Sequence, residues 1–344
     1  MKWKVYLADL EESCEKAKLV KEDIIILERY AESLYNKKLP IIFNNEHLGK
    51  ILGFDEALFL YIQLFTESFY HKYKIRKKSG GYREINEPYP TLKEIQNWIR
   101  INILQNISVS KYAKAYIPNK GIIDNVKFHK EQKVIIKLDI KDFFGSIKKS
   151  KVNLIFLSLG YTKSLAYTFA SLCCLNDALP QGAPTSPSLS NVYFRHIDKR
   201  IGSYTKKLGF RYTRYSDDIT ISGDISEKQI GAIIKYCTGL LRQYGLDIKE
   251  DKTKILRQSN CQYVTGVVLN KKITAGTKVK REIRQIIYYI KKYGLYEHMQ
   301  YVKISQQNYL LHVLGRINWV LYLEKNNKEF MKYKQEVIEL IKQL

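Results

Sequence analysis

The chain has 344 residues, enough for two or three packed subdomains, so its size excludes no class of enzyme. Its 58 Lys and Arg against 34 Asp and Glu give a formal charge of +24. That charge favours a polyanionic partner such as nucleic acid, although AT-rich codon bias would also enrich lysine. Five cysteines without CxxC spacing indicate neither a disulfide framework nor a zinc cluster. Without any 18-residue apolar stretch, we expect a cytoplasmic protein with no membrane partner.

The first third of the chain predicts helices followed by one hairpin. Residues 1–38 have the pattern of two short amphipathic helices, and 44–73 and 92–104 also show helical spacing. The intervening segment 74–88 places basic residues around Gly80-Gly81, which is typical of a β-hairpin with a polar tip.

The middle of the chain predicts strands that end in aspartates. Residues 133–140, KVIIKLDI, read as a short buried strand, and 210–222, FRYTRYSDDITIS, as strand, tight turn and strand. Helices are expected at 154–172, after the proline-containing loop 179–187, and at 229–244. After Gly266 the pattern is mostly helical, and residues 271–344 carry a charge of +9.

Three carboxylates are candidates for metal chemistry. Asp139 and the adjacent pair Asp217 and Asp218 lie at the ends of segments that we interpret as neighbouring strands. Clustered carboxylates need cations, and two Mg²⁺ ions held there could drive in-line nucleotidyl transfer. An Asp-Asp pair in a hairpin is also ordinary turn chemistry, so the pair alone decides nothing.

Four segments together resemble the successive palm motifs of reverse transcriptases, in order and in spacing. They are LDIKDFFGSI (138–147), LPQGAPTSPSLSNVYF (179–194), RYSDDITIS (214–222) and GLDIKEDKTKI (245–255). The resemblance implies an α+β right-hand polymerase with fingers, a palm built on an antiparallel sheet backed by helices, and a mostly helical thumb.

The resemblance also implies a two-metal centre. Asp139, Asp217 and Asp218 would be the metal ligands, with the backbone carbonyl of Ile140 as an extra ligand. The cofactor would be two Mg²⁺ ions, with Mn²⁺ as the alternative.

The same resemblance implies a nucleotide-binding set. Phe144 would lie beneath the incoming sugar and exclude a ribose 2′-OH, although a core phenylalanine would fit the pattern too. Gln181 would hydrogen-bond the nucleotide or template, and Gly182 would allow close backbone approach.

Basic residues complete that set. Arg83 would grip the triphosphate, helped by Lys77 or Lys78, and Lys252 would lie near the leaving pyrophosphate as a general acid. Solvated surface lysines account for Lys77, Lys78 and Lys252 equally well.

Two further segments resemble motifs of retron enzymes in particular and are predicted to bind RNA. Residues 125–129, NVKFH, approximate the NAxxH motif through Asn125 and His129, departing from it at Val126, and Val264, Thr265 and Gly266 reproduce the VTG triplet. A loop histidine bonded to backbone groups, and a strand ending at a glycine turn, are the structural alternatives.

A retron enzyme implies particular partners. It would recognise its cognate structured noncoding RNA, use dNTPs, and copy part of that RNA into branched, RNA-linked multicopy single-stranded DNA. Retrons typically act in antiphage defence, and the effector would be a separate protein.

The resemblance divides the chain into an N-terminal helical extension (1–40), fingers (41–135, with part of 147–185), a palm (136–265) and a thumb (266–344). Lysines and tyrosines interleave at 286–303, where the thumb would bind RNA, although an amphipathic helix with half-buried tyrosines explains the same pattern. Group II intron and diversity-generating reverse transcriptases share the palm motifs. The chain could also serve as an RNA-binding scaffold that restrains an effector.

Overall fold

A computed structural model describes residues 3–77, 80–303 and 308–343. The described α-helices are α1 (Trp3–Lys16), α2 (Lys21–Asn36), α3 (Asn45–Leu52), α4 (Glu56–Leu64), α5 (Pro90–Asn102), α6 (Ile122–Val126), α7 (Lys149–Leu159), α8 (Lys163–Cys173), α9 (Ser186–Tyr193), α10 (Arg195–Lys207), α11 (Glu227–Gln243), α12 (Thr277–Tyr293), α13 (Leu295–Tyr301), α14 (Tyr309–Leu323) and α15 (Lys328–Lys342). The described strands are β1 (Tyr70–Arg76), β2 (Tyr82–Pro88), β3 (Val134–Asp139), β4 (Arg211–Tyr215), β5 (Asp218–Gly223), β6 (Lys254–Arg257), β7 (Tyr263–Val264) and β8 (Val267–Val268).

The expected helices and strands are largely confirmed, but strand β1 begins at Tyr70, inside the segment 44–73 expected to be helical. Residues 3–36 contain α1 and α2, the described residues of 74–88 lie in the β1–β2 hairpin, and the two aspartate-bearing segments form β3 and the β4–β5 hairpin. The helix expected at 154–172 is instead two helices, α7 and α8. Gly160, with φ +109°, ends α7, and the Thr162 side chain accepts a hydrogen bond from the Leu165 amide at the start of α8.

The chain folds as two compact units, each made of several segments. The first comprises Met1–Tyr116, Ile140–Ile201 and Cys237–Ile248, and the second comprises Ile117–Asp139, Gly202–Tyr236 and Lys249–Leu344. In the first unit, α5 contributes the fully buried Ile95 and Ile99 to the core. Phe156 of α7 packs against Phe169 of α8 with ring centroids 5.0 Å apart.

The second unit contains a four-stranded sheet in the order β4-β5-β3-β6, in which every neighbouring pair is antiparallel. β3 has a neighbouring strand on each side. Most of its side chains are buried, which explains why its sequence is an almost continuous apolar segment. A second cluster of buried apolar residues joins α12, α14 and α15 through Ile283, Ile287, Val313, Phe330 and Val337. The α+β class expected from the sequence is thus confirmed. No helix within the described residues has both the length and the hydrophobicity to cross a lipid bilayer.

Candidate active site

The β4–β5 hairpin presents two adjacent aspartates at its tip. β4 ends at Tyr215 and β5 begins at Asp218, which leaves Ser216 and Asp217 as the two turn residues. Ser216 has φ +59°, a left-handed conformation that few non-glycine residues adopt. The fully buried Arg214 donates a hydrogen bond of 3.0 Å to the Ser216 carbonyl oxygen, which stabilises this turn.

The third aspartate lies opposite this hairpin. Asp139 is the last residue of β3, and its antiparallel register partner is Asp218, the first residue of β5. Directly opposed residues in an antiparallel pair have Cβ atoms about 4.5–5.5 Å apart. Asp139 and Asp218 are therefore neighbours at one end of the sheet, and Asp217 precedes Asp218 in the turn.

Two lysines neutralise Asp139. Lys249 Nζ lies 2.7 Å from Asp139 Oδ1, and Lys252 Nζ lies 3.6 Å from Oδ2. The Lys249 amide also donates a 2.7 Å hydrogen bond to the Asp139 carbonyl oxygen. Burial alone would lower the pKa of Lys249, but its ion pair with Asp139 and the charge of Asp217 outweigh burial and raise it. The lysine is thereby held in its charged form.

Asp218 lies in an electrostatically unfavourable place. Burial raises its pKa, and the charges of Asp217 and Asp139 raise it further, while Lys137 and Lys252 oppose them. A buried carboxylate beside two other carboxylates gains stability from an added cation. The clustering of negative charge is therefore a physical reason for a divalent ion to bind here.

The donor set fits a divalent metal, although its side chains are not arranged around one. Among the residues that the structure describes, no three His, Cys, Asp or Glu side chains converge in a metal-binding arrangement. Asp139 is directed to Lys249 instead. Its Oδ1 is paired with the Lys249 ammonium group, so this oxygen becomes available as a metal ligand once that group withdraws. Carboxylate oxygens are the ligands that Mg²⁺ prefers.

Phe144 and Phe143 have different environments within the first unit. Phe143 is buried and packs on Phe194, with centroids 5.2 Å apart. Phe144 is half-buried and contacts Phe143 edge-on at 5.1 Å and Tyr116 at 6.4 Å. The core position therefore belongs to Phe143, which leaves the Phe144 ring partly available to a ligand.

The Gln181–Gly182 loop is fixed to the β1–β2 hairpin. The Asn86 amide of β2 donates a 2.8 Å hydrogen bond to the Gln181 carbonyl oxygen. Gly182 has φ +132°, and a Cβ atom there would lie 2.5 Å from the Asn86 carbonyl oxygen, so a side chain does not fit. Arg83 is exposed on the same strand as Asn86. Lys78 lies outside the described residues, while Lys77 has its amide bonded to the Gly81 carbonyl.

The two retron-like segments also have defined environments. Asn125 and His129 are both fully buried, which argues against direct contact of either side chain with RNA. Val264 is buried at the end of β7, and Thr265 and Gly266 form the two-residue turn to β8 with φ of +48° and +81°. Thr265 is β-branched and therefore strained in this conformation, whereas Gly266 adopts it readily.

Two residues of this site were not foreseen individually from the sequence. Lys249 lies three positions before Lys252 within the GLDIKEDKTKI segment, but only the structure pairs it with Asp139. Arg214 begins the RYSDDITIS segment. The sequence held one indication of its buried role, namely a basic residue inside an otherwise apolar strand. A charged side chain is rarely buried there without a partner.

Comparison with known proteins agrees with these features. The family model described as "Reverse transcriptase (RNA-dependent DNA polymerase)" matches residues 75–269. The chain is 31% identical to the retron Ec86 reverse transcriptase of Escherichia coli over 87% of this chain and 91% of that protein. It is 31% identical to the retron Se72 reverse transcriptase of Salmonella heidelberg over 73% of this chain and 69% of the relative.

The retron Mx65 reverse transcriptase of Myxococcus xanthus is 28% identical over 64% of this chain, which spans 55% of that relative. The matched region contains the Asp139–Asp218 pair, the Gln181–Gly182 loop and both retron-like segments. The chain therefore belongs to the reverse transcriptase family, as an RNA-directed DNA polymerase of the retron type.

Proposed function

We propose that this enzyme copies its cognate structured noncoding RNA into branched, RNA-linked multicopy single-stranded DNA by two-metal nucleotidyl transfer. The observation that carries the proposal is the pairing of Asp139 with Asp218 across two strands, beside the turn that holds Asp217. Asp139, Asp217 and Asp218, with the backbone carbonyl of Ile140, would hold two Mg²⁺ ions, or Mn²⁺ as the alternative. When bound, such ions would activate the attacking hydroxyl and stabilise charge on the leaving pyrophosphate.

Lys249 and Lys252 would have different tasks in this reaction. Lys249 neutralises Asp139 and must withdraw before that carboxylate can bind a divalent ion, because the ammonium group approaches the same oxygen. Lys252 is more exposed and 3.6 Å from the other oxygen. We assign it to donate a proton to the departing pyrophosphate.

The nucleotide would be selected by residues of the first unit. Phe144 would exclude a ribose 2′-OH, in agreement with its half-buried ring. Gln181 and Gly182 would contact the nucleotide and template from a loop that β2 holds in place. Arg83 is exposed on that strand and would bind the triphosphate, with Lys78 as the further basic residue.

The C-terminal helices would bind the RNA. Tyr288, Tyr293, Tyr296 and Tyr301 are all more than half exposed. Lys292 lies over the rings of Tyr288 and Tyr293, so basic and aromatic groups form one surface. Such surfaces suit a phosphate backbone and unstacked bases. We accordingly propose fingers, palm and thumb at residues 41–135 with part of 147–185, 136–265 and 266–344, after an N-terminal extension of residues 1–40.

The biological role proposed is antiphage defence with a separate effector protein. The support for it is the similarity to retron reverse transcriptases, which extends over most of the chain. The RNA, the single-stranded DNA product and the dNTPs would be the nucleic-acid and nucleotide partners.

The experiment is to express the gene with its flanking upstream DNA, purify the protein and analyse its bound nucleic acid. Samples would be compared before and after treatment with RNase and with debranching enzyme. Wild type would be compared with the double variant Asp217→Asn/Asp218→Asn. Branched RNA-linked DNA in the wild type alone is the expected result.

Other outcomes separate the alternatives. Linear cDNA without a branch would contradict the retron reaction and favour another class of reverse transcriptase. RNA bound to both proteins without any DNA would contradict polymerisation and favour the scaffold function.

A further inference from the structure

The two retron-like segments share one hydrophobic core with the strand that carries Asp139. Val126, between the motif residues Asn125 and His129, is fully buried against Val264 and Val267 on either side of the second motif's turn. Ile135 of β3 belongs to the same cluster. The motifs therefore pack beside the catalytic sheet and against each other. The valine that replaces the usual alanine adds apolar volume to this core.

Polar side chains of the first motif form a hydrogen-bonded chain through the sheet. His129 lies with Nδ1 2.7 Å from Ser222 Oγ and Nε2 2.7 Å from Thr213 Oγ1. Thr213 Oγ1 in turn donates to Asn125 Oδ1 at 2.6 Å. A hydroxyl has one proton, so Thr213 must accept from His129 Nε2–H. In the neutral ring, Nδ1 then accepts from the Ser222 hydroxyl.

This chain contacts both strands of the catalytic hairpin at diagonal positions, since the register partner of Thr213 is Thr220, two residues before Ser222. Thr213 on β4 precedes Asp217 by four residues, and Ser222 on β5 follows Asp218 by four residues. One imidazole ring, fully buried, therefore links the two strands that lead into and out of the turn. A shift of the ring would alter the relative position of the strands and thus of the two carboxylates.

The same core extends to helix α14 in the C-terminal region. Trp319 and Leu323 of α14 pack against the cluster of Val126 and Val264. At the start of α6, a Cβ atom on Gly121 would lie 2.5 Å from the hydroxyl of Tyr322, also on α14. The retron-like segments thus connect the catalytic sheet to a helix of the proposed thumb within one unit.

We infer that Asn125 and His129 are positioning residues that hold the Asp217–Asp218 hairpin in register, instead of residues that contact RNA. The inference rests on the proposed polymerase function. It predicts that the motif acts in every nucleotide addition, whatever the template, because the hairpin serves each turnover.

The test compares His129→Leu with His129→Gln, whose side-chain amide can still donate to Thr213. Each purified enzyme is first assayed for binding of the cognate RNA. Its kcat and its KM for dNTPs are then measured on the cognate RNA and on an unrelated primer–template. Finally, the shift in melting temperature caused by Mn²⁺ is measured without nucleic acid. We expect His129→Leu to lose on the order of 10²-fold in kcat on both templates, since small misplacements of reacting groups cost about that much. Its Mn²⁺ shift should shrink, its RNA affinity should stay unchanged, and His129→Gln should recover part of kcat.

Gln96→Leu is the matched control. Gln96, a residue of the first unit, is also fully buried and also donates two 2.7 Å hydrogen bonds, to Tyr70 Oη and the Leu172 carbonyl. It should lower the melting temperature but leave kcat and the Mn²⁺ shift unchanged. If His129→Leu does not fold, Ser222→Ala removes one hydrogen bond of the chain and Thr213→Val removes two, and both variants keep the ring.

The outcomes are distinguishable. Loss of RNA binding with normal extension of the unrelated primer–template would overturn the inference and assign the motif to RNA contact. Unchanged kcat in the His129, Ser222 and Thr213 variants would overturn it as well. A wild type that extends neither template would instead refute the polymerase function on which the inference rests.

Discussion

Gly182→Ala is the substitution whose effect the structure determines most closely. The backbone there has φ +132°, a region that is essentially restricted to glycine. The new Cβ would meet the Asn86 carbonyl oxygen at 2.5 Å and its carbon at 2.9 Å. Both are backbone atoms of β2, so no side-chain rotation relieves the contact. The loop must move away from the strand, and the 2.8 Å hydrogen bond from the Asn86 amide to Gln181 is lost.

The expected loss of stability in Gly182→Ala is the sum of these two effects. The unfavourable backbone conformation costs about 1–3 kcal/mol, and the lost hydrogen bond costs about 0.5–1.5 kcal/mol. We therefore expect the free energy of unfolding to fall by about 2–4 kcal/mol. Because Gln181 moves with the loop, kcat/KM for dNTPs should fall on the order of 10²-fold through misplacement of the nucleotide.

The assay pairs urea denaturation with a dNTP titration, and Gly209→Ala is the control. Gly209 has φ +78°, and a Cβ atom there would have open space around it, with no contact within 4 Å. Alanine at this position therefore costs only the left-handed penalty of about 1–2 kcal/mol. Its dNTP kinetics should match the wild type. If Gly182→Ala were no more destabilised than Gly209→Ala and kept its dNTP kinetics, the argument from close backbone approach would be refuted.

Three further predictions concern the carboxylates and the sugar. Phe144→Ala should admit ribonucleotides while the Mn²⁺-induced melting shift stays at the wild-type value; unchanged discrimination in a ribonucleotide competition assay would remove the gate role. Lys249→Met should destabilise the metal-free enzyme by about 1–3 kcal/mol, because Asp139 loses its partly buried partner. The same substitution should enlarge the stabilisation of the enzyme by Mg²⁺. A smaller Mg²⁺ effect in thermal melting would contradict this prediction. Asp218→Asn should be inactive yet more stable than the metal-free wild type at neutral pH, because the raised pKa marks a destabilising charge. That advantage should vanish as the pH falls through the raised pKa and the wild-type carboxyl is protonated, which denaturation at several pH values would reveal.

Much of the fold could be predicted because its signals are local. The basic residues around Gly80-Gly81 indicated the β1–β2 hairpin, and the pattern of strand, tight turn and strand around Asp217-Asp218 indicated β4 and β5. The order of the palm-like motifs identified the family before any contact was known. Boundaries were less accurate: the break between α7 and α8 depends on the φ of Gly160, which hydrophobic spacing does not report.

The features of the site that could not be predicted depend on contacts between residues that are distant in the chain. The Lys249–Asp139 ion pair joins residues from separate motifs, and nothing in either segment alone indicates that the lysine reaches the carboxylate. The burial of His129 was equally hidden, because its hydroxyl partners Thr213 and Ser222 lie more than 80 positions away. The residues of a family-specific motif can therefore be buried in the protein.

The catalytic role of Asp139 is tested most directly by measuring incorporation of a labelled dNTP into a primer on an RNA template, with Mg²⁺. Wild type is compared with Asp139→Asn and Asp224→Asn. Asp224 is an exposed carboxylate just after β5 that pairs with Lys133, so it controls for loss of charge near the same sheet. We expect Asp139→Asn to abolish incorporation and Asp224→Asn to retain it. Incorporation by Asp139→Asn at the wild-type rate would contradict the assignment of the catalytic carboxylates.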